Sequence, residues 1–294
     1  MAIKGLSIPV FGKYQYNPTS KNVSYVDGLV NPHAIEYTMT PESSDPNPLY
    51  GDNRVIENDN PTFNTAILSL GVDELDQETS KYVLGVKVYE QTYGDGKTVE
   101  VTAYDDDQKA VTLGVGLIEL HQIDDVDRYR AVLLKRVVFN LPENTATTKG
   151  ESVEWQTKTI EGTVSRSEAV TENEKYPWMS DAWFLSEADA LEWLQYNLGV
   201  GTLKTLEIQS AAGTAEGTTK ITVTPEATGE NVYYYQLGQE LEVPGYNADC
   251  SGMMQWDGEA DIQATAGQKI MIVECDGVNA RAAGIVTVSV NGGV

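Results

Sequence analysis

Cysteine and histidine are scarce in this chain, with two of each in 294 residues, and phenylalanine stands at only 4. Two cysteines, Cys250 and Cys275, exclude a disulfide-dense scaffold and leave one bridge at most. Two histidines separated in sequence, His33 and His121, exclude any metal motif built on neighbouring imidazoles. Neither lies beside a nucleophile, and a single strand histidine is ordinarily a packing or surface residue. No P-loop, no G-x-G-x-x-G, no G-x-S-x-G, no HExxH and no paired CxxC occurs, so no enzymatic activity, cofactor or metal is expected. The acidic run Asp105-Asp106-Asp107 reads as a solvated turn rather than a metal site. Basic clusters are missing too. Lys and Arg total 20 against 44 Asp and Glu, for a net charge of −24. That balance excludes tight binding to phosphate backbones, which needs clustered cations to displace counterions. No apolar run reaches membrane-spanning length, and the N-terminus shows no sustained apolar segment of the signal-peptide kind.

What the chain has in quantity is glycine (26), tyrosine (16) and β-branched residues, a mixture that favours strands and turns. The stretch Tyr50 to Gly85 organises the rest. Ala66, Leu68, Leu70 and Val72 alternate, which puts all four on one face of a strand. A short helix follows, with Asp73 expected as its N-cap and Gly85 just past its last turn. Before the strand lies a polar arm, Pro41 to Pro61, with prolines at 41, 46, 48 and 61 and a short strand expected at Arg54 to Glu57. An arm that cannot bury itself, leading into a core strand, suggests a segment ordered by a neighbouring subunit. Its plain alternative is a mobile surface loop.

Elsewhere, residues 1–21 read as an irregular segment and Val23 to Val30 as a strand bent at Asp27-Gly28. Ala34 to Thr40 alternates as a half-buried strand. Strands are expected at 85–91 and 98–104 around the turn Gly94-Asp95-Gly96, at 113–122 and 128–139 around Asp124 to Asp127, and at 152–165. Ser186 and Asp189 form a capping pattern for a helix with the apolar stripe Ala188, Leu191, Leu194 and Leu198. After Gly199 the texture shifts to short strands separated by turn residues, the pattern of a small antiparallel sandwich. Tyr233-Tyr234-Tyr235, together with Tyr246 and Trp256, reads either as a sugar-binding face or, more simply, as ordinary strand residues with one side buried. The spacing Cys250…Trp256…Cys275 is too tight for the usual immunoglobulin bridge, so an Ig-like expectation rests on strand pattern. The fold class is thus mainly β, divided into residues 1–198 and 199–294. The second part holds four basic and twelve acidic side chains, so the acidity is shared by both.

Residues 1–198 resemble the major tail tube proteins of long-tailed, non-contractile bacteriophages. The pieces, in order, are YGDNRVIENDN (50–60), AILSLGVDEL (66–75), VGLIEL (115–120), YRAVLLKRVVFNLP (129–142) and TKGESVEWQTKTIEGTV (148–164). None is catalytic; order and spacing carry the likeness. The resemblance implies a tail-tube fold of two packed antiparallel sheets with a flanking helix, six copies per ring, and rings stacked into a tube that conducts DNA without binding it specifically. It implies tape measure, tail tip and terminator proteins as partners, synthesis in the host cytoplasm, residence in the virion tail, and no membrane. It makes the arm a subunit interface, with Tyr50, Gly51, Asp52, Asn53, Arg54, Val55 and Ile56 as candidate contacts. The C-terminal module resembles Ig-like domains of phage structural proteins. Such a domain would project outward and make weak contact with cell-surface carbohydrate. A capsid decoration protein and a carbohydrate-binding adhesin module are the alternatives.

Overall fold

The computed structural model describes residues 2–31, 33–59, 61–143 and 157–292. The chain forms two compact units, Met1–Tyr14 with Leu29–Leu198, and Gln15–Gly28 with Gly199–Val294. Both are built mainly from antiparallel strands, and the described residues include only two α-helices.

The first unit opens with β1 (Ala2–Asn17) and β2 (Asn22–Val30), a hairpin whose tip, 15–28, belongs to the second unit. Next come β3 (Ala34–Ser43), β4 (Pro48–Gly51), β5 (Arg54–Asn58) and β6 (Phe63–Val72). Helix α1 (Gln77–Leu84) precedes β7 (Lys87–Tyr93) and β8 (Lys97–Ala103). The long strands β9 (Thr112–Ile123) and β10 (Val126–Phe139) follow, then β11 (Lys158–Val164), β12 (Met179–Phe184) and α2 (Glu187–Asn197). The strand expected at 152–165 is seen as β11; its first part lies outside the described residues.

The segment expected to be irregular, 1–21, is instead mostly strand. Ile3 to Lys13 pairs with β9, and a register shift between Ser7 and Val10 takes up Pro9 and the positive φ of Ile8. A bulge is where a strand tolerates proline. Pairing with a partner about a hundred residues away overrides the loop-like local composition.

The main sheet runs β2-β1-β9-β10-β11-β6-β3, with β12 also paired to β10. β10 makes this possible. Its first half, Tyr129 to Leu134, pairs with β12, and its last residues, Val137 to Phe139, pair with β11. Between them the register against β9 shifts at Leu134/Val137, so the strand bends and passes from one layer to the other. The sheet therefore folds over a core in which Leu68 and Leu70 of β6 meet Leu113, Val115 and Leu117 of β9. The alternation expected at Ala66, Leu68, Leu70 and Val72 is seen, and all four are buried.

Helix α1 starts three residues later than expected. Asp76, not Asp73, is its N-cap, and its Oδ1 accepts from Thr79 N at 2.7 Å. Asp73 instead accepts from Glu74 N at 2.8 Å. Gly85 ends the helix at φ 68°, the left-handed value only glycine adopts freely. Helix α2 begins at the expected Ser186 cap, with Asp189 N donating to its Oγ at 3.1 Å. Leu194 and Leu198 of the expected stripe are buried, joined by Ala190, whereas Ala188 is exposed and Leu191 only half-buried. The helix lies close on β9: a Cβ on Gly116 would stand 2.8 Å from Leu194 Cδ2.

The second unit adds β13 (Lys204–Thr205), β14 (Glu207–Ala212), β15 (Thr218–Thr224), β16 (Val232–Gly238), β17 (Met254–Trp256), β18 (Ile262–Gln263), β19 (Lys269–Asp276) and β20 (Asn279–Thr287). They form a three-stranded sheet, β14-β15-β18, and a five-stranded one, β13-β20-β19-β16-β17. β13 runs parallel to β20, and every other pairing is antiparallel. Leu206, Ile221, Trp256, Ile270 and Ile272 belong to one core cluster. Cys250 and Cys275 are buried free thiols in another. They interact with each other. Their contact holds Cys250 below its ordinary value and pushes Cys275 well above it, with burial adding to the latter.

The chain divides between Leu198 and Gly199, and residues 15–28 group with the second unit. Val26 packs with Ala248 and Val273 in the second unit. Asn247 Nδ2 donates to Tyr25 O at 2.9 Å, and Gly28 N donates to Gly199 O at 2.8 Å. Ser20 Oγ and Asn17 Nδ2 both donate to Asp249 Oδ2, at 2.8 and 3.2 Å. A chain truncated after 198 should therefore expose Tyr25 and Val26 and aggregate in light scattering. The same truncation with 15–28 replaced by a short turn should remain soluble. Equal solubility of the two would show that the tip needs no partner.

Candidate assembly surface

The expected polar arm is an ordered hairpin. β3 and β6 pair from Ala34↔Val72 to Ser43↔Phe63. Ser44 N then donates to Thr62 O at 2.9 Å, and Asp59 N to Asn47 O at 3.2 Å. Pairing resumes from Pro48↔Asn58 to Gly51↔Arg54. β3-β4 and β5-β6 are thus the two legs of one long hairpin that runs on beyond the main sheet. Asp52 and Asn53 make its tip with φ of 49° and 61°. Positive φ at both positions is the type I′ turn, which suits strand twist and which Asp and Asn tolerate.

The seven candidate contacts, Tyr50 to Ile56, form this tip. Leu49, Tyr50, Val55 and Ile56 are 58%, 67%, 50% and 66% exposed. Tyr50 stands directly opposite Val55, and a register shift places Ile56 beside them. Ile56 lies across Gly51, where an added Cβ would come within 1.9 Å of its Cδ1. Glycine at 51 is what lets this methyl lie flat on the backbone. Four large apolar side chains on a two-stranded ribbon are unusual without a cover, because such a ribbon is marginal by itself. Covering them is worth about 1.5–3 kcal/mol for each side chain fully buried.

A second ribbon, β7–β8, turns at Gly94-Asp95-Gly96 as expected. Its cross-strand pairs sort it into two faces. Tyr89↔Val101, Gln91↔Val99 and Tyr93↔Lys97 share one. Glu90↔Glu100 and Thr92↔Thr98 share the other. Tyr89, Tyr93 and Val99 are exposed on the first. On the second, two carboxylates stand directly opposite, an unfavourable pair in an isolated ribbon. Near its base Lys87 Nζ reaches Asp105 at 3.2 Å and Asp107 at 2.9 Å, so that acidic run is held by a lysine. No group of metal-ligating residues occurs among the described residues.

One polar cluster escaped sequence reasoning. Glu119 on β9 is 2% exposed. It accepts from the Tyr37 hydroxyl of β3, from His121 Nε2 at 2.8 Å and from Arg130 Nη1 of β10 at 3.3 Å. Arg130 Nε also reaches Asp181 of β12 at 2.9 Å. The cluster ties both layers together at one end of the core. A carboxylate only accepts, so Nε2 carries the His121 proton, and its buried Nδ1 has no partner among the described residues. Burial pushes Glu119 upward, but the bonds from Tyr37, His121 and Arg130 outweigh it and hold the carboxyl below its usual range. Burial and the same bond push the Tyr37 phenol well above its own. Glu119 and His121 face the interior, so the cluster braces the fold. The alternation Leu117, Glu119, His121 after a run of core positions was the available signal, since it puts both polar groups on the core face.

The comparison with curated proteins gives no match. Residues 211–283, within the second unit, match the family model of the S-layer protein SbsC C-terminal domain. This part of the chain is similar to a domain of a bacterial surface-layer protein.

Proposed function

We propose that the chain is a structural subunit that assembles with copies of itself into stacked rings, the tail tube of a long-tailed phage. The observation that carries this reading is the projecting β4–β5 tip, with Leu49, Tyr50, Val55 and Ile56 uncovered at its end. A ribbon of this composition gains most when a neighbour covers it. The outer edge of β3 has no strand partner in the described sheet and offers a second place for a neighbour to join. The amphipathic β7–β8 ribbon gives a third, with a carboxylate and threonine face suited to solvent. Head-to-tail contacts of this sort close into rings or extend without limit. The net charge of −24 suits a wall past which DNA slides, since like charge prevents sticking. Four of the five segments that carry the tail-tube resemblance fall on β4–β5, β6, β9 and β10, the last on β11 and residues outside the description.

The test is assembly. The purified chain, seeded with tail tips, should form tubes visible by negative-stain electron microscopy. Antibody against the second unit should label the tail of the native particle. Label on the head would favour a capsid decoration protein instead. A chain that stays monomeric at high concentration with fresh tips would overturn the proposal.

A second reading has its own support. The match of residues 211–283 to an S-layer domain is what a cell-surface module would give. It predicts localisation on a cell envelope rather than a particle.

A further inference from the structure

We propose that the second unit carries a binding site for a small zwitterion, a free α-amino acid, held between the Glu274 carboxylate and the Lys204 ammonium. The site follows from strand register. Lys204 of β13 stands opposite Ala282 of β20, and Ala282 stands opposite Glu274 of β19. Residues opposite each other in a ladder point to the same face, so the three form one row across the sheet. Neighbouring strands lie about 4.8 Å apart, which puts the backbones of Lys204 and Glu274 roughly 10 Å from each other. Ala282, between them, has only a methyl group and is 2% exposed. The row therefore has a charge at each end and a low floor in the middle. A cavity of about 220 Å³ is lined by these three residues together with Thr202, Thr228 and Asn231.

Glu274 anchors the site. It continues the alternation of Ile270 and Ile272, which face the core, and is itself 4% exposed. Thr228 N and Asn231 Nδ2 both donate to its Oε1, at 2.8 and 2.7 Å. Its Oε2 has no hydrogen-bond partner among the described residues and is not sealed from solvent. An almost buried carboxylate oxygen without a donor is costly, and a ligand ammonium that supplies one recovers that loss. At the other end of the row Lys204 is exposed and makes no ion pair among the described residues.

The charges choose the ligand. The two others at this cavity are matched to each other: Arg281 Nη2 pairs with Asp276 at 3.2 Å, and Arg281 Nη1 donates to Asn247 Oδ1 at 2.8 Å. One carboxylate and one ammonium remain, and no ion pair joins them among the described residues. A simple cation would satisfy Glu274 and be repelled by Lys204. A simple anion would satisfy Lys204 and be repelled by Glu274, which is the less screened of the two because it is nearly buried. A neutral molecule leaves both without a countercharge. An α-amino acid brings both countercharges, its ammonium to Glu274 Oε2 and its carboxylate to Lys204 Nζ, at no net charge. Size sets its side chain. The cavity has room for about seven waters at ~30 Å³ each. At roughly one non-hydrogen atom per water volume, that admits glycine, alanine or serine and excludes an aromatic amino acid.

The experiment is saturation-transfer NMR on the full chain with L-alanine and L-serine as probes. Beside them stand N-acetyl-L-alanine, which lacks the ammonium, L-alaninamide, which lacks the carboxylate, and glucose, which lacks both. The two amino acids should bind with a Kd on the order of 1 mM. Each of the other three should bind more weakly by about tenfold or more, the factor that one charge-assisted hydrogen bond is worth. Glu274→Gln keeps the side-chain volume and an acceptor for Thr228 N and Asn231 Nδ2, but puts a donor where the charged Oε2 stood. It should weaken amino-acid binding by the same factor. Lys204→Met, on an exposed position, should weaken it several-fold with Tm unchanged, so the test stands even where Glu274→Gln fails to fold. Failure of both amino acids to bind overturns the inference. So does equal binding of a blocked derivative or of glucose, or binding that Lys204→Met leaves unchanged. The site lies within one unit and its readout needs no assembly, so its failure and that of the assembly reading are separable.

Discussion

Tyr50→Asp combined with Ile56→Asp should abolish polymerisation and leave the monomer folded. Both side chains are about two-thirds exposed at the end of the β4–β5 ribbon. They contribute little to the isolated chain, and surface changes of this kind usually shift stability by about 0.5 kcal/mol or less. At a subunit contact the balance is different. The variant forfeits the burial of two large apolar groups and drives two unpaired carboxylates toward a partner that is itself acidic. A loss of about 4 kcal/mol per contact raises the concentration needed for assembly about a thousandfold. Neither change touches the Asp52-Asn53 turn, so the ribbon keeps its register. Sedimentation velocity should show a monomer under conditions where the wild type forms tubes, with unchanged circular dichroism. Normal tubes from the double variant would remove the tip from the interface. Trimming the ribbon between Ser44 and Thr62 to a short turn should have the same effect, because those two residues already pair.

Glu119→Ala should be the most damaging single change to the first unit. It strands the Arg130 guanidinium, the His121 ring and the Tyr37 hydroxyl around a hole in the core. Removing one partner from a buried charged network costs about 3–5 kcal/mol, which for a domain of this size lowers Tm by roughly 10 °C. Glu119→Gln, which keeps the volume, should cost less. The pH dependence identifies the cause. The folded state holds the Glu119 carboxyl below its ordinary value, although burial alone would raise it. The unfolded chain therefore takes up the proton more readily. The stabilisation is complete above the unfolded value of about 4.3 and is lost as pH falls through the lower folded value. Tm of the wild type should fall on the acid side of pH 4 more steeply than that of Glu119→Gln, with the two curves converging. Parallel curves would mean the carboxylate charge is not what holds the cluster.

Much of the architecture was legible from local pattern. The alternation from Ala66 to Val72 states which side of β6 is buried, because successive strand residues face opposite ways. Gly85, Ser186 and Gly94-Asp95-Gly96 mark ends and turns because their chemistry demands particular backbone geometry. The tip from Tyr50 to Ile56 was picked out as an arm without a core of its own, but not as a hairpin. Its polar flanks hid the pairing that continues from β3 and β6. Asp73 and Asp76 offer the same capping side chain three residues apart, and only the hydrogen bond from Thr79 N makes Asp76 the cap.

Local sterics and hydrophobic periodicity alone thus decide that the chain is made of strands, where it turns, and that Gly199 begins a different texture. They act within a few residues, so they can be read in order along the chain. Which strands meet is another matter. That Ala2 to Lys13 pairs with β9, that 15–28 joins residues beyond 199, and that Tyr37 reaches Glu119 are outcomes of contacts between distant segments. Such contacts depend on how the whole sheet bends at β10, and no short window of sequence carries that bend.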